Sequence, residues 1–235
     1  LERIWDLRIT YPDDDIVVHA NDVKSCFKQI KLHPDCMSAF SIVVTNFLFL
    51  QAGLPFGTDF SPQNWEPVRR CFEALSEKLW HDDSLRDKHR LHLDMLNWDD
   101  ALDSAPARLI PAKACTKRRG VLLPDGRPRP TPQRLFVDDS VYAEVYARLR
   151  ERLERAVAAN IETVFILLGF SDLARRQDPI SFDKMIEMVV SYFNKVLGQL
   201  INTRTLDIGV PDDYIKRVLH LLKPFHAHRK TFRVK

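Results

Sequence analysis

Leu135-Phe136-Val137-Asp138-Asp139-Ser140-Val141-Tyr142 sets two adjacent carboxylates between short apolar, strand-like runs. Apolar flanks with polar residues between them predict a tight β-hairpin over 135–142 that presents both acids at its turn. Two like charges on such an element cost on the order of several kcal/mol if buried without a counter-ion. The stretch therefore calls for a cation, and a divalent metal is the simplest one. Other acid clusters carry no such demand. Asp13-Asp14-Asp15 follows Pro12 in a loop, Asp82-Asp83 closes a helix-like run, and Asp99-Asp100 lies in an irregular stretch. Asp212-Asp213 opens a helix whose dipole it complements. Taken alone, Asp138-Asp139 also fits a solvated turn.

Upstream, Ile16-Val17-Val18-His19-Ala20-Asn21-Asp22 is a β-branched run ending in an acid, a predicted strand over 16–22 with a helix-compatible segment at 24–31. Asp22 fits a plain helix cap. It also fits a strand-end functional group, and with Asp138 and Asp139 it supplies three carboxylates. Such hard oxygen donors suit Mg²⁺, and two-metal phosphoryl-transfer sites are built from them.

The order of four segments carries a family resemblance. Asp22 to Gln29, Gly53-Leu54-Pro55-Phe56-Gly57, Ser61-Pro62 and Phe136-Val137-Asp138-Asp139 resemble the palm motifs of reverse transcriptases, nearest to those of LTR-type, gypsy-like retrotransposon polymerases. Val196 to Thr203 looks like the family's primer-grip region, with Leu197 and Gly198 at its centre, and His226 to Lys235 like the approach to the thumb.

That resemblance implies an RNA-directed DNA polymerase domain acting on a dNTP and an RNA or DNA template with its primer. Asp22, Asp138 and Asp139 would be catalytic. Asp22 and Asp138 would hold two Mg²⁺ ions, with Mn²⁺ as a substitute, Asp139 assisting or more peripheral and the backbone carbonyl of Val23 completing a metal shell. Phe27 matches the aromatic that excludes a ribose 2′-hydroxyl, Phe56 and Gly57 the loop beneath the nucleotide, and Phe136 the aromatic beside the primer end. Ordinary core packing is the competing reading of Phe27 and Phe136. Lys184 and Lys195 are candidates for protonating pyrophosphate, and Arg8 for a remnant of the triphosphate grip. The implied organisation is palm with residual fingers over 1–80, an irregular insertion over 81–131, palm again over 132–224 and the start of a thumb over 225–235. Few residues precede Asp22 and the chain opens on Leu1, so it reads as a stretch of something longer. Two rival readings stay open: a catalytically inactive palm remnant that binds nucleic acid, and an RNA-templated RNA polymerase, which Phe27 disfavours.

The rest of the composition agrees. At 235 residues the chain can bury a sizeable core. Its net charge of +3 is mild but unevenly spread. Lys113, Lys117, Arg118, Arg119, Arg127, Arg129 and Arg134 precede the Asp pair, while Lys216, Arg217, Lys223, Arg229, Lys230, Arg233 and Lys235 load the C-terminus. Such blocks suit phosphate backbones, or a solvated face. The 4 cysteines, Cys26, Cys36, Cys71 and Cys115, show no C-x-x-C pairing and fit a reducing, intracellular setting. The longest apolar run, Phe40 to Phe56, is interrupted by polar residues and predicts paired strands at 40–54, not a membrane helix.

Helices are expected at 62–80 (stripe Trp65, Val68, Cys71, Phe72, Leu75, Leu79), from Glu144 to Phe170, from Phe182 to Phe193 and from Asp212 to Pro224, with a hairpin from Leu197 to Val210 and a smaller one through Asp125-Gly126. Within Glu144–Phe170, Glu151 and Glu154 are expected outward among arginines. Strands interleaved with helices and joined by antiparallel hairpins predict an α+β fold with a palm-like sheet packed on helices.

Overall fold

The β-branched run Ile16–Asp22 forms strand β1, preceded by helix α1 (Glu2–Thr10). There follow α2 (Cys26–Gln29), α3 (Pro34–Met37), β2 (Ile42–Val44), β3 (Phe47–Phe49), α4 (Phe60–Leu79), α5 (Ser84–Lys88), α6 (Arg90–Leu93), β4 (Gln133–Phe136), β5 (Asp139–Val145), α7 (Tyr146–Leu168), α8 (Phe182–Glu187), β6 (Phe193–Val196), β7 (Gln199–Asn202), β8 (Asp207–Gly209) and α9 (Asp212–His228). This computed structural model describes residues 2–55, 57–103, 133–136, 139–170 and 178–228. Asp138, Phe56, Cys115, the Asp125-Gly126 turn, the basic run from Lys113 to Arg129 and residues 229–235 lie outside them.

The fold is α+β, with small antiparallel sheets packed on helices. In the sheet that matters here the order is β1-β5-β4, with register running from Ile16↔Val145 to Asp22↔Asp139 and from Gln133↔Tyr142 to Phe136↔Asp139. Side chains alternate across a strand, so the sheet has two differently employed faces. Val17 and Tyr142 pack with Trp65 and Phe72 of α4 and with Leu153, Val157 and Ile161 of α7. Ile16, Val18, Ala143 and Val145 pack the other way, against Ile4 and Leu7 of α1 and Val196 and Ile201 of the β6-β7-β8 sheet. Each fully buried aliphatic or aromatic side chain of this kind contributes about 1.5–3 kcal/mol.

Several elements depart from the expected bounds, each for a local reason. The strand continues through Glu144 and Val145 where a helix was expected. Glu144 faces Val17 in the register and is buried, with Arg3 at 3.0 Å and Arg152 at 3.2 Å neutralising its carboxylate. Glu154 turns inward to Arg86 at 2.8 Å instead of lying on the outer face of α7. On α4 the buried face runs through Trp65, Phe72 and Ser76, and Cys71 is exposed. Helix α8 stops at Glu187, because Ser191 pairs with Val18 and adds a bridge to the free edge of β1. Residues 84–103 are not wholly irregular: short helices and the turns between them bury Leu85, Leu93, Leu96 and Leu102 in the main core, and Lys88 and His89 reach Glu162 on α7 at 2.7 and 2.8 Å. The expected 40–54 strand pair is the short hairpin β2-β3, whose residues are all exposed. No helix among the described residues is long and apolar enough to cross a membrane.

Candidate functional site

Asp22 ends β1 and Asp139 opens β5, and the register sets them directly opposite one another. Directly opposed residues of antiparallel strands put their side chains on one face, with Cα atoms about 4.5–5.5 Å apart. Phe136 on β4 is in turn opposite Asp139. Three strands thus carry Phe136, Asp139 and Asp22 in a row across one face, with Phe136 60% exposed.

The end of β1 is held from its other side. The Asp22 carbonyl accepts from the Ser181 N–H at 3.0 Å, and the Lys24 N–H donates to the Pro179 carbonyl at 2.9 Å. Val23 and Ile180 face each other between these bonds. The Val23 backbone groups therefore point away from the 179–181 segment. One turn beyond Ser181, α8 delivers Lys184, whose Nζ lies 2.6 Å from Asp22 Oδ2. Asp22 is only 7% exposed, and its other oxygen, Oδ1, is buried with no hydrogen-bond partner. A buried carboxylate oxygen without a donor carries an unmet demand for positive charge.

Ser25 lies in the left-handed region at φ 52°, turning the chain sharply after Asp22 so that Cys26 and Phe27 fold inward. Phe27 is 7% exposed, with its ring edge-on to Trp65 at 6.4 Å between centroids. It is core, and at the same time it lines a cavity of about 380 Å³ with Asp22, Lys24, Lys28 and Lys184. A second cavity, of about 300 Å³, is lined by Asp22, Asp139, Lys184, Lys195 and Leu197, among others. Asp22 and Lys184 form the wall common to both. Leu197 and Gly198 are the two-residue turn between β6 and β7, at φ 49° and 76°. Both values are positive, as in a type I′ turn; the expected hairpin thus has Leu197 at its tip, not in a strand, and its first strand starts at Phe193. A bulky side chain in that region is strained, and here the strained residue is the one that leans on the acid cleft.

The structure therefore brings Asp22, Asp139, Val23, Phe27, Phe136 and Leu197 to one neighbourhood, with Gly198 on the same turn. Gly57, at φ 82°, precedes α4 and lines neither cavity. Asp138 and Phe56 lie outside the described residues. Of the two lysines considered, Lys184 touches Asp22, whereas Lys195 stands 4.6 Å from the Tyr214 ring and 4.0 Å from Asp213. Arg8 is not a triphosphate grip: it is fully buried and donates to the carbonyls of Pro12, Asp14 and Thr203 at 2.8–3.1 Å. Among the described residues no three His, Cys, Asp or Glu side chains gather as a metal-holding group.

Behind the acids lies a network that sequence reasoning missed. Asn21 Nδ2 donates to Asn160 Oδ1 at 3.0 Å, Asn160 Nδ2 donates to Ser140 Oγ at 3.0 Å, and the Tyr142 hydroxyl donates to Asn21 Oδ1 at 3.1 Å. Burial pushes the Tyr142 hydroxyl above its ordinary range. His19, two positions before Asn21 on that face, is fully buried and stacks on Tyr142 at 6.1 Å. Its pKa is lowered to about 4 by burial, which a Met188 backbone group opposes in part. Asn21 beside Asp22 was a readable clue, since alternation sends it to the opposite face; nothing local marks Asn160.

No protein-family profile and no curated protein matches the chain. Among solved structures, a foamy viral protease-reverse transcriptase in complex with RNA/DNA hybrid is a distant structural neighbour. It is 10% identical at a TM-score of 0.43, over 86% of this chain and 18% of that one.

Proposed function

We propose that the chain is the palm of an RNA-directed DNA polymerase of retroelement type. The observation that carries this reading is the row Phe136–Asp139–Asp22, opening on a cleft shared with Lys184 and the Leu197–Gly198 turn. The orphaned Oδ1 of Asp22 fits a cation held with Asp139, Asp138 and the Val23 carbonyl. Bound there, Mg²⁺ or Mn²⁺ would neutralise phosphate charge and raise the nucleophilicity of a hydroxyl.

The residues then divide the work. The primer 3′-hydroxyl loses its proton to water and its oxygen forms a bond to the α-phosphorus of a dNTP as the bond to the β-phosphate oxygen breaks, and pyrophosphate leaves. Lys184, on the wall between the two cavities, gives its proton to the departing pyrophosphate. Phe27 closes the sugar side of the larger cavity against a 2′-hydroxyl, and Trp65 behind it prevents it from yielding. Phe136 and the Leu197–Gly198 turn support the primer end.

Primer extension by the 235-residue chain on homopolymer templates, with Mg²⁺ or Mn²⁺, tests the reading. Asp22→Asn and Asp139→Asn should each lower extension at least about 100-fold while the fold persists; extension unchanged in Asp22→Asn would refute the assignment. One observation favours a second reading, a catalytically silent palm that binds nucleic acid: Arg8, the upstream candidate for a triphosphate grip, is spent on internal carbonyls. Template binding without extension would support it.

A further inference from the structure

We propose that Asn160 is a positioning residue that sets the spacing and direction of the Asp22–Asp139 pair, an inference that rests on the metal-dependent reading above. Asn160 projects from α7 and is 1% exposed. Its amide has one acceptor end and one donor end, and each is used on a different strand: Oδ1 takes Asn21 of β1, and Nδ2 gives to Ser140 of β5. Asn21 and Ser140 are themselves directly opposite in the register. Asn21 immediately precedes Asp22, and Ser140 immediately follows Asp139. The single amide is therefore tied to both strands one residue away from each carboxylate, from the far side of the sheet.

Strand alternation gives these ties their consequence. With Asn21 and Ser140 held towards α7, Asp22 and Asp139 must face the cleft. A slip of one residue would reverse the assignment, burying the acids against the helix. Aliphatic side chains of the same volume would fill the space but bind neither strand. Polar groups buried behind a charged pair are worth having only when every partner is met, and here Tyr142 completes the set by donating to Asn21. Tyr142 and Ser140 also interact directly. The network is closed and sits at the strand ends that carry the acids. α7 thereby sets the separation of the two carboxylates without touching them.

The test is a Mn²⁺ titration of the 235-residue chain followed by electron paramagnetic resonance, with thermal melting in parallel. Asp22→Asn should abolish binding at this site. Asn160→Leu should weaken Mn²⁺ binding by about tenfold or more, the usual effect of removing a group that orients a metal ligand. Ser140→Ala, which removes one end of the tie, should weaken it by a smaller factor and serves in place of Asn160→Leu if that variant gives no cooperative melt. Thr163→Val, one turn along α7, where the Thr163 hydroxyl donates to the Ala159 carbonyl, controls for stability alone and should leave the titration unchanged. An Asn160→Leu or Ser140→Ala chain that melts cooperatively and binds Mn²⁺ as tightly as wild type overturns the positioning role. Equal binding by wild type and Asp22→Asn overturns the metal reading itself, and this inference with it.

Discussion

Lowering the pH from 7 to 5 should cost the fold about 2 kcal/mol through His19 alone. The imidazole is fully buried against Tyr142, and neither ring nitrogen makes a full hydrogen bond. Burial depresses its pKa from 6.5 to about 4, with the Met188 backbone offsetting a small part. Because the folded pKa lies below the unfolded one, the unfolded chain takes up the proton first as pH falls. Stability is therefore full above pH 6.5, declines through the window from 6.5 to about 4, and levels off below it. A tenfold difference in proton affinity between the folded and unfolded chain is worth about 1.4 kcal/mol, so the whole window amounts to about 3 kcal/mol, of which about 2 is lost by pH 5. Urea unfolding followed by tryptophan fluorescence at pH 7, 6 and 5, on wild type and His19→Leu, isolates the contribution. The variant should be at least as stable at pH 7, since two unsatisfied nitrogens disappear. Its stability should fall less steeply with acid than that of wild type. Parallel curves for the two proteins between pH 7 and 5 would refute the reasoning.

Three further perturbations have definite expected outcomes. Lys184→Ala should lower the extension rate about 100-fold or more; a rate equal to wild type would remove Lys184 from proton transfer. Phe27→Val should admit ribonucleotides in a sugar-discrimination assay, and should cost on the order of 2 kcal/mol of stability in lost packing on Trp65. Gly53→Ala should destabilise by about 1–3 kcal/mol in denaturant titration, because its new Cβ would stand 2.6 Å from the Lys28 carbonyl oxygen and 2.8 Å from the Lys28 Cα.

Local pattern was enough to read β1, the hairpin into β5, the α4 stripe apart from Cys71, and the start of α9, because periodicity and turn chemistry act over a few residues. It failed where distant residues override local preference. Glu144 reads as a helix start, yet Arg3 and Arg152 draw it into the sheet. Residues 84–103 read as a polar connection, yet their spaced leucines and the Glu154 and Glu162 carboxylates of α7 dock them onto the core. Arg8 reads as a cation open to a ligand until three carbonyls claim it. For the site, the residue types at Asp22, Asp139 and Lys184 were visible one by one. The family resemblance grouped Asp22 with Asp139 and named Lys184 as a candidate, but local pattern alone could not join them, because the contacts span more than a hundred positions. Asn160 was invisible altogether, since an Asn in mid-helix announces nothing until its two partners are known.

The Asp22–Lys184 pair joins an exposed cation to a buried acid. The lysine side chain is 62% exposed, so water screens its end of the pair, but Asp22 is buried and losing its partner would cost about 3–5 kcal/mol unless another cation replaced it. Asp22 itself is held differently. Its backbone is bonded to Ser181, its carboxylate is nearly buried, and Oδ1 has no donor. Asp22 is fixed, and Lys184 lines both the cavity of Phe27 and that of Leu197. On the proposed reading, a cation at Asp22 would take over the role of Lys184 as counter-charge and so lower the cost of releasing the lysine towards a leaving group. A lysine locked by burial could neutralise Asp22 equally well, but it could not also follow a departing anion.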